Sequence, residues 1–199
     1  MHLTEEQIDA IKELINIGVG KAAGILSEMI NRHISLHVPS VKILSRNSLS
    51  QEVSQIGSGC LSAVKLGFRG SFTGTAALVF PQDSASALVS LLLSDDPSNA
   101  DLDSIRVGTL NEVGNIVISG IMGSISNVLR QRIDYSIPTY TEDSFENMIV
   151  SDRYLYDITT LLAHAHFTVE HSMIEGNIIL IFEAESFGTL LKAINSELA

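Results

Sequence analysis

The sequence predicts an α+β protein in which a helix, three mostly antiparallel strands and a second helix occur twice along the chain. Two observations support this. Long segments with helical apolar spacing alternate with short runs of alternating apolar residues, and the second half of the chain repeats the first. Setting each residue n against n+99 aligns 11–39 with 110–138 without a gap. We therefore expect one domain over 1–199, made of repeats at about 1–95 and 101–199 and related by a pseudo-two-fold axis.

The first repeat begins with a helix that Thr4 can cap and that keeps apolar helical spacing to Ile30. A strand follows over about 35–44. Pro39 lies inside it and has no N–H to donate, so this strand is expected at a sheet edge or at a bulge. The other elements predicted in this repeat are strands at 61–68 and 72–80 with a turn at 69–70, and a helix from 83 or 84 to about 93.

The second repeat is expected to follow the same order after a polar linker over 94–103. Its predicted elements are a helix at 102–130, a strand at 133–140, strands at 163–173 and 178–182 with a turn at 175–177, and a helix at 187–198. Both long helices carry glycines that cost helix stability, about 1 kcal/mol each. We expect close packing of the helices to compensate. These glycines are Gly18, Gly20, Gly24, Gly114, Gly120 and Gly123.

The composition excludes several classes of function. A formal net charge of −11 disfavours binding to nucleic acid or to anionic membrane surfaces. The single cysteine, Cys60, excludes an internal disulfide, and the amphipathic N-terminus does not resemble a signal peptide, so we expect a cytoplasmic protein. The uncharged segment 113–129 could be considered as a membrane span, but its Asn, Ser and Gly content favours a helix buried within the protein.

One polar stripe on the first helix has a spacing that suggests chemistry. Asp9, Glu13 and Asn16 lie at i, i+4 and i+7 and so project from one side of the helix. Polar residues on one outer helix face are ordinary for any water-exposed helix. The second helix, however, repeats the pair as Glu112 and Asn115 at the same offset. This repetition favours a functional role for the two pairs.

In full, the two patterns are Asp9-x3-Glu13-x2-Asn16-x22-Pro39 and Glu112-x2-Asn115-x22-Pro138. They resemble the motif of the CheC/CheX/FliY phosphatases, and the resemblance extends over nearly the whole chain. It implies the CheC-like duplicated fold. It also implies an enzyme that hydrolyses the aspartyl phosphate of a phosphorylated chemotaxis response regulator, CheY-P.

The resemblance also implies roles for the motif residues. Asn16 and Asn115 would enter the regulator's active site, where each amide orients the attacking water. Glu13 and Glu112 would dock on the regulator's active-site Lys. The regulator supplies its own Mg²⁺, so we expect no cofactor bound by this chain.

The remaining motif positions are expected to assist. Asp9 would tune Glu13 or touch the partner, and Pro39 and Pro138 would be structural. Gly108 stands where the family carries Asp or Ser, which is a departure in the second motif. We expect both sites to work, because loss of an auxiliary polar contact costs only about 1 kcal/mol. Because the departure at Gly108 affects the second motif only, Asn16→Ala should reduce activity more than Asn115→Ala.

Three alternatives remain open at this point. The chain could bind a response regulator without dephosphorylating it, as the similarly folded flagellar switch component FliM does. It could act as an adaptor for the deamidase CheD, or as a receiver phosphatase outside motility. We expect a monomer, because the internal repeat already supplies a pseudo-dimer. His164 and His166 share a strand face, but no third ligand stands at a supporting spacing, so no metal site is expected.

Overall fold

The computed structural model describes residues 3–45, 48, 52, 59–93, 102–144, 147, 158–169 and 171–198. Most of residues 46–58, residues 94–101 of the predicted linker and most of the segment between 144 and 158 lie outside these residues. The first half contains α1 (Glu5–Ile30), β1 (Ile34–Ser45), β2 (Leu61–Gly70), β3 (Gly74–Pro81) and α2 (Gln82–Leu93). The second half contains α3 (Leu102–Val128), β4 (Ile133–Tyr135), β5 (Thr139–Asp143), β6 (Ile158–Val169), β7 (Ser172–Glu183) and α4 (Ala184–Leu198).

Helix α1 begins where the sequence predicts it. The Thr4 hydroxyl accepts a hydrogen bond from the Gln7 N–H at 3.2 Å, and the Gln7 side chain accepts one from the Thr4 N–H at 3.0 Å. This reciprocal capping box satisfies two backbone donors that a helix start would otherwise leave unpaired. The helix ends at Asn31, whose φ of 52° lies in the left-handed region.

The strands form a mixed helix and sheet fold whose pairs are all antiparallel, so the predicted fold class is confirmed. The order is β1-β6-β7-β3-β2-β4, and β5 also pairs with β2. Strand β1 of the first half thus pairs with β6 of the second half. Strands β4 and β5, which correspond to β1 in the second half, pair with β2 of the first half. A pseudo-two-fold arrangement produces such an order, and the duplication itself remains an inference from the sequence.

The edge strand β1 contains the irregularity that Pro39 predicts. His37 pairs with His166 and Ser40 with His164, so two residues on β1 oppose one on β6. This is a β-bulge formed by Val38 and Pro39. The Val38 side chain is fully buried under α1, so the bulge lies directly against the helix that carries the first motif.

Two predictions for the second half are wrong. The strand expected over 133–140 is divided into β4 and β5 by residues 136–138. The turn expected at 175–177 is absent, because these residues lie within β7 and the chain reverses between Val169 and Ser172. Gly176 has a packing role instead: a Cβ there would stand 2.8 Å from the ring atom Cδ1 of Phe80.

The glycines of the long helices fall into two groups. Gly18 lies against the backbone of Gly120 and Ile121, and Gly114 lies against the Val64 side chain, so added Cβ atoms would collide with them. Close packing explains the glycines of this group, and α1 and α3 cross where Gly18 and Gly120 meet. In a second group, no atom of the described residues outside the helix's own backbone lies within 4 Å of an added Cβ. It consists of Gly20, Gly24, Gly108 and Gly123.

The core lies between one face of the sheet and all four helices of the described chain, and it includes Phe72, Phe80, Phe167, Phe182 and Phe187. A smaller apolar cluster, with Ala63, Val79 and Leu162 among its members, lies on the opposite face. The uncharged segment 113–129 belongs to α3, within which Val113, Val117, Ile118 and Ile121 are fully buried. Within the part of the chain that the structure describes, no helix is long and apolar enough to cross a membrane.

Candidate functional site

The two long helices present the Glu and Asn pairs on their outward sides. Glu13 and Glu112 are exposed, while Asn16 and Asn115 are half-buried. Asp9 is exposed one turn before Glu13. The two helices pack against each other through Gly18 and Gly120.

The Asn16 side chain is bound to the backbone of the bulge in β1. Its Oδ1 accepts a hydrogen bond from the Val38 N–H at 3.0 Å, and its Nδ2 donates to the Val38 carbonyl at 3.0 Å. Nδ2 also donates to the Lys12 carbonyl at 3.1 Å. A bulged residue loses its strand partner, so the amide replaces the missing ladder bonds of Val38. Asn16 thus connects α1 to β1 at the residue before Pro39.

Asn115 has different surroundings, although it occupies the matching position. Among the described residues, its one recorded side-chain hydrogen bond is with Ser119, whose hydroxyl donates to Oδ1 at 3.4 Å. Ile137 is the counterpart of Val38 in the second half. Within the described residues, the Asn115 side chain forms no hydrogen bond with it. Within the described part of the chain, the Nδ2 group of Asn115 and most of the accepting capacity of its oxygen are therefore not used.

Ile137 lies in the segment 136–138 between β4 and β5, and its side chain is exposed to solvent. The Ser136 N–H donates to the Gly67 carbonyl at 2.8 Å, and the Ser136 hydroxyl accepts from the Gly67 N–H at 2.8 Å. On the other side, Thr139 pairs with Lys65 as β5 begins. The segment is therefore attached to β2 at both ends, yet Ile137 itself is 83% exposed, whereas Val38 is 0% exposed.

The helix surfaces around the two motifs differ in charge. In the first half, exposed carboxylates precede or belong to the motif at Glu5, Glu6, Asp9 and Glu13. The matching residues of the second half are Ser104, Ile105, Gly108 and Glu112. One of these four matched positions is acidic in the second half, and Asp103 in the first turn of α3 adds a second exposed carboxylate there. Ile105 is also 37% exposed, so the second motif has an apolar neighbour where the first has a carboxylate.

A polar cluster fixes the start of α3 beside the second motif. Arg106 forms an ion pair with Glu142 at 3.3 Å, and the Tyr140 hydroxyl hydrogen-bonds to Glu142 and to the buried Ser62, the latter at 3.1 Å. Burial, and then the bond to Glu142, raise the pKa of Tyr140 above its usual range, so it remains a neutral hydroxyl at physiological pH. The cluster connects α3 with β2 and β5.

The histidines noted in the sequence lie on the face of the sheet opposite the long helices. His37 pairs with His166, and His164 pairs with Asn177. No group of three or more His, Cys, Asp or Glu side chains suited to a metal ion occurs among the described residues. The expectation that the chain binds no metal stays a prediction.

Known proteins resemble this chain in both sequence and fold. The sequence model of the CheC-like family matches residues 6–43, which contain Asp9, Glu13, Asn16 and Pro39. The CheY-P phosphatase CheC of Bacillus subtilis is 24% identical over 98% of this chain and 97% of its own length. The flagellar motor switch phosphatase FliY of Bacillus subtilis is 27% identical over 79% of this chain, which corresponds to 42% of FliY.

Among solved structures, FliY of Thermotoga maritima superposes with a TM-score of 0.76 at 21% identity, covering 99% of this chain and 100% of that one. The resemblance to the CheC/CheX/FliY family is confirmed. The CheC-like fold also occurs in a complex of CheX with CheY, BeF3 and Mg²⁺ from Borrelia burgdorferi, at a TM-score of 0.52 and 20% identity over 86% of this chain and 99% of that one. At these identities the structures establish the fold alone.

Two features of the site could not be found from the sequence. The sequence motif contains both Asn16 and Pro39. It does not reveal that the Asn16 side chain hydrogen-bonds to the backbone of Val38, the residue before Pro39. The exposure of Ile137 was also missed, because its apolar side chain fits the expected strand over 133–140. A comparison of Val38 with Ile137 in the aligned halves would not have exposed the difference either, since both are β-branched aliphatic residues.

Proposed function

We propose that this CheC-like chain is a phosphatase that hydrolyses the aspartyl phosphate of a phosphorylated CheY-type response regulator. The observation that carries the proposal is the retention, on two outward helix faces, of a glutamate and an asparagine at the same spacing. The names of the relatives CheC and FliY as phosphatases support it. Because response regulators act in the cytoplasm, we propose the same compartment for this protein.

The proposed chemistry requires only a well-placed amide from this chain. An aspartyl phosphate is already activated, and the regulator contributes the Mg²⁺ and Lys around it. The carboxamide oxygen of an inserted asparagine accepts a hydrogen bond from a water and holds it in line with the phosphorus. Water then attacks, the P–O bond to the aspartate breaks, and phosphate leaves with the aspartate carboxylate restored. This resembles the water-positioning role of glutamine in small GTPases.

Glu13 and Glu112 are proposed to dock the regulator. Each is exposed and lies one helical turn before its asparagine, so a carboxylate and an amide reach the same partner surface. A carboxylate facing the regulator's Lys sets the orientation of the complex and increases the rate of encounter. Asp9 would assist Glu13 in the first half.

The hydrogen bonds of the two asparagines lead us to assign them unequal roles. Asn115 keeps most of its amide for a partner, and we propose that it supplies the main catalytic group. The amide of Asn16 is engaged on both sides by Val38 and must give up these bonds before it can position a water. This reverses the expectation, based on Gly108, that Asn16→Ala is the more damaging change.

A second candidate function is regulator binding without hydrolysis. It is favoured by the similarity of the fold to the FliM middle domain of H. pylori, with a TM-score of 0.67 at 12% identity over 96% of this chain and 99% of that one. An adaptor role through CheD is compatible with either function. The two retained pairs favour the phosphatase, because binding alone does not require an amide beside each glutamate.

The test measures loss of phosphate from a phosphorylated CheY-type receiver domain. We expect the wild-type chain to accelerate it, Asn115→Ala to remove most of the acceleration, by roughly 100-fold, and Asn16→Ala to remove much less. The double variant should be inactive and folded. Acceleration by a folded double variant at the wild-type rate would contradict the mechanism. Tight binding of the receiver with no acceleration by the wild type would favour the binding module.

A further inference from the structure

Ile137 is an exposed aliphatic side chain on a segment that is held in place. At 83% it is the most exposed of the large apolar side chains described. Its neighbour Ser136 forms two hydrogen bonds with Gly67, and β5 begins at Thr139, two residues after Ile137. A side chain that is ordered before binding loses little conformational entropy when a partner covers it. Such a residue fits the role of an interface anchor better than that of a loose loop tip.

The packing of α3 on β2 relates the second motif to the segment that carries Ile137. Gly114, the residue before Asn115, lies directly on the Val64 side chain of β2. Val64 pairs with Tyr140 on β5, three residues after Ile137. In the first half the matching residues, Asn16 and Val38, are in direct contact. The corresponding chain position and the contact of α3 with β2 argue that Ile137, although turned to the solvent and not bonded to Asn115, lies at the border of the Glu112–Asn115 surface.

The surroundings of Ile137 match one kind of partner. An aspartyl phosphate is an anion, and the four exposed carboxylates of α1 from Glu5 to Glu13 repel it more than the two of α3, Asp103 and Glu112, do. Ile105 adds a second partly exposed apolar side chain, and Gly108 leaves open space between it and Glu112. We refer to the exposed apolar positions of the second half, Ile105 and Gly108 on α3 and Ile137 after β4, as the apolar rim.

We propose that this apolar rim docks the phosphorylated receiver domain, with Ile137 as the anchor that is buried when Asn115 reaches the phosphoryl group. The inference rests on the proposed function and specifies which half of the chain binds the substrate protein. It gives Ile137 a positioning role, because its side chain would touch the receiver surface and not the reacting atoms.

The experiment compares Ile137→Ser with Met173→Ser. Met173 is 63% exposed at the start of β7, so it serves as a matched apolar control away from the motif. Phosphate release from a phosphorylated CheY-type receiver is measured over a range of receiver concentrations. We expect Ile137→Ser to raise KM about tenfold with kcat at saturation unchanged, and Met173→Ser to change neither. Thermal unfolding of all three proteins confirms equal folding.

Binding of the beryllofluoride-loaded receiver separates failure of this inference from failure of the proposed function. A wild type that binds the receiver without hydrolysing it disproves the phosphatase, while a weakened Ile137→Ser complex would still support the docking surface. Active proteins with the same KM for wild type and Ile137→Ser would overturn the inference and leave the phosphatase intact. Equal weakening by Met173→Ser would also overturn it, and a wild type that neither binds nor hydrolyses overturns both.

Discussion

The two halves of the molecule carry the same glutamate and asparagine spacing, but they use the asparagine differently. In the first half, the Asn16 side chain hydrogen-bonds to the Val38 N–H and carbonyl, which the bulge in the edge strand β1 leaves without strand partners. In the second half the edge strand is interrupted altogether, Asn115 is free of it, and Ile137 turns to the solvent. An identical motif can therefore bond to a strand backbone in one half and stay apart from it in the other. A repeated signature does not imply two equal sites.

The largest effect on stability is expected where the helices cross. Gly18→Ala would push a Cβ into the backbone at Ile121 and to within 2.7 Å of the Gly120 carbonyl oxygen. Backbone atoms cannot swing aside, so α1 and α3 must separate, at a cost of about 2–3 kcal/mol in the free energy of unfolding. Urea denaturation followed by circular dichroism measures this.

Gly123→Ala is the matched control for the helix crossing, because nothing lies within 4 Å of its added Cβ. It should raise the free energy of unfolding by up to about 1 kcal/mol through better helix propensity. If both alanine variants were equally stable, the crossing would not depend on Gly18.

The second largest effect is a difference in the free energy of unfolding between the Asn16→Ala and Asn115→Ala variants. Asn16→Ala leaves the N–H and the carbonyl of buried Val38 without partners, so we expect a loss of about 2 kcal/mol. Asn115→Ala loses only the long bond with Ser119 and should change the free energy of unfolding by less than about 0.5 kcal/mol. The same denaturation experiment compares them. Equal losses would contradict the distinct roles of the two halves.

The smallest effect concerns Gly108. If the absence of Asp or Ser there is a defect, Gly108→Asp should improve the second site. If the apolar rim docks an anionic partner, the added carboxylate should raise KM instead, about threefold at low salt and less at high salt. Gly108→Ala is the control, since it adds helix propensity without charge and faces open space. A lower KM for Gly108→Asp would restore the view that the second motif is impaired.

The sequence was sufficient for most of the element order, for the bulge in the edge strand β1 and for the exposure of Glu13 and Glu112. These follow from periodicity, from the missing N–H of Pro39 and from helical spacing, all of which are local properties. Gly176 was misread as a turn residue because a glycine required for close packing against Phe80 looks the same in sequence as one required for a turn. The interruption at 136–138 depends on how β2 pairs with two separate segments, which is a property of the whole sheet.

The strand order of the sheet has a consequence for any shorter relative of this chain. Because β1 hydrogen-bonds to β6 and β2 to β4 and β5, each half completes its sheet only with strands from the other. A polypeptide consisting of one half would expose long unpaired edges and the apolar surface beneath α1 or α3. Such a unit could be stable only by exchanging strands with a second copy of itself. In the full chain, the exchange of edge strands between the halves is intramolecular, so the sheet forms without a second copy.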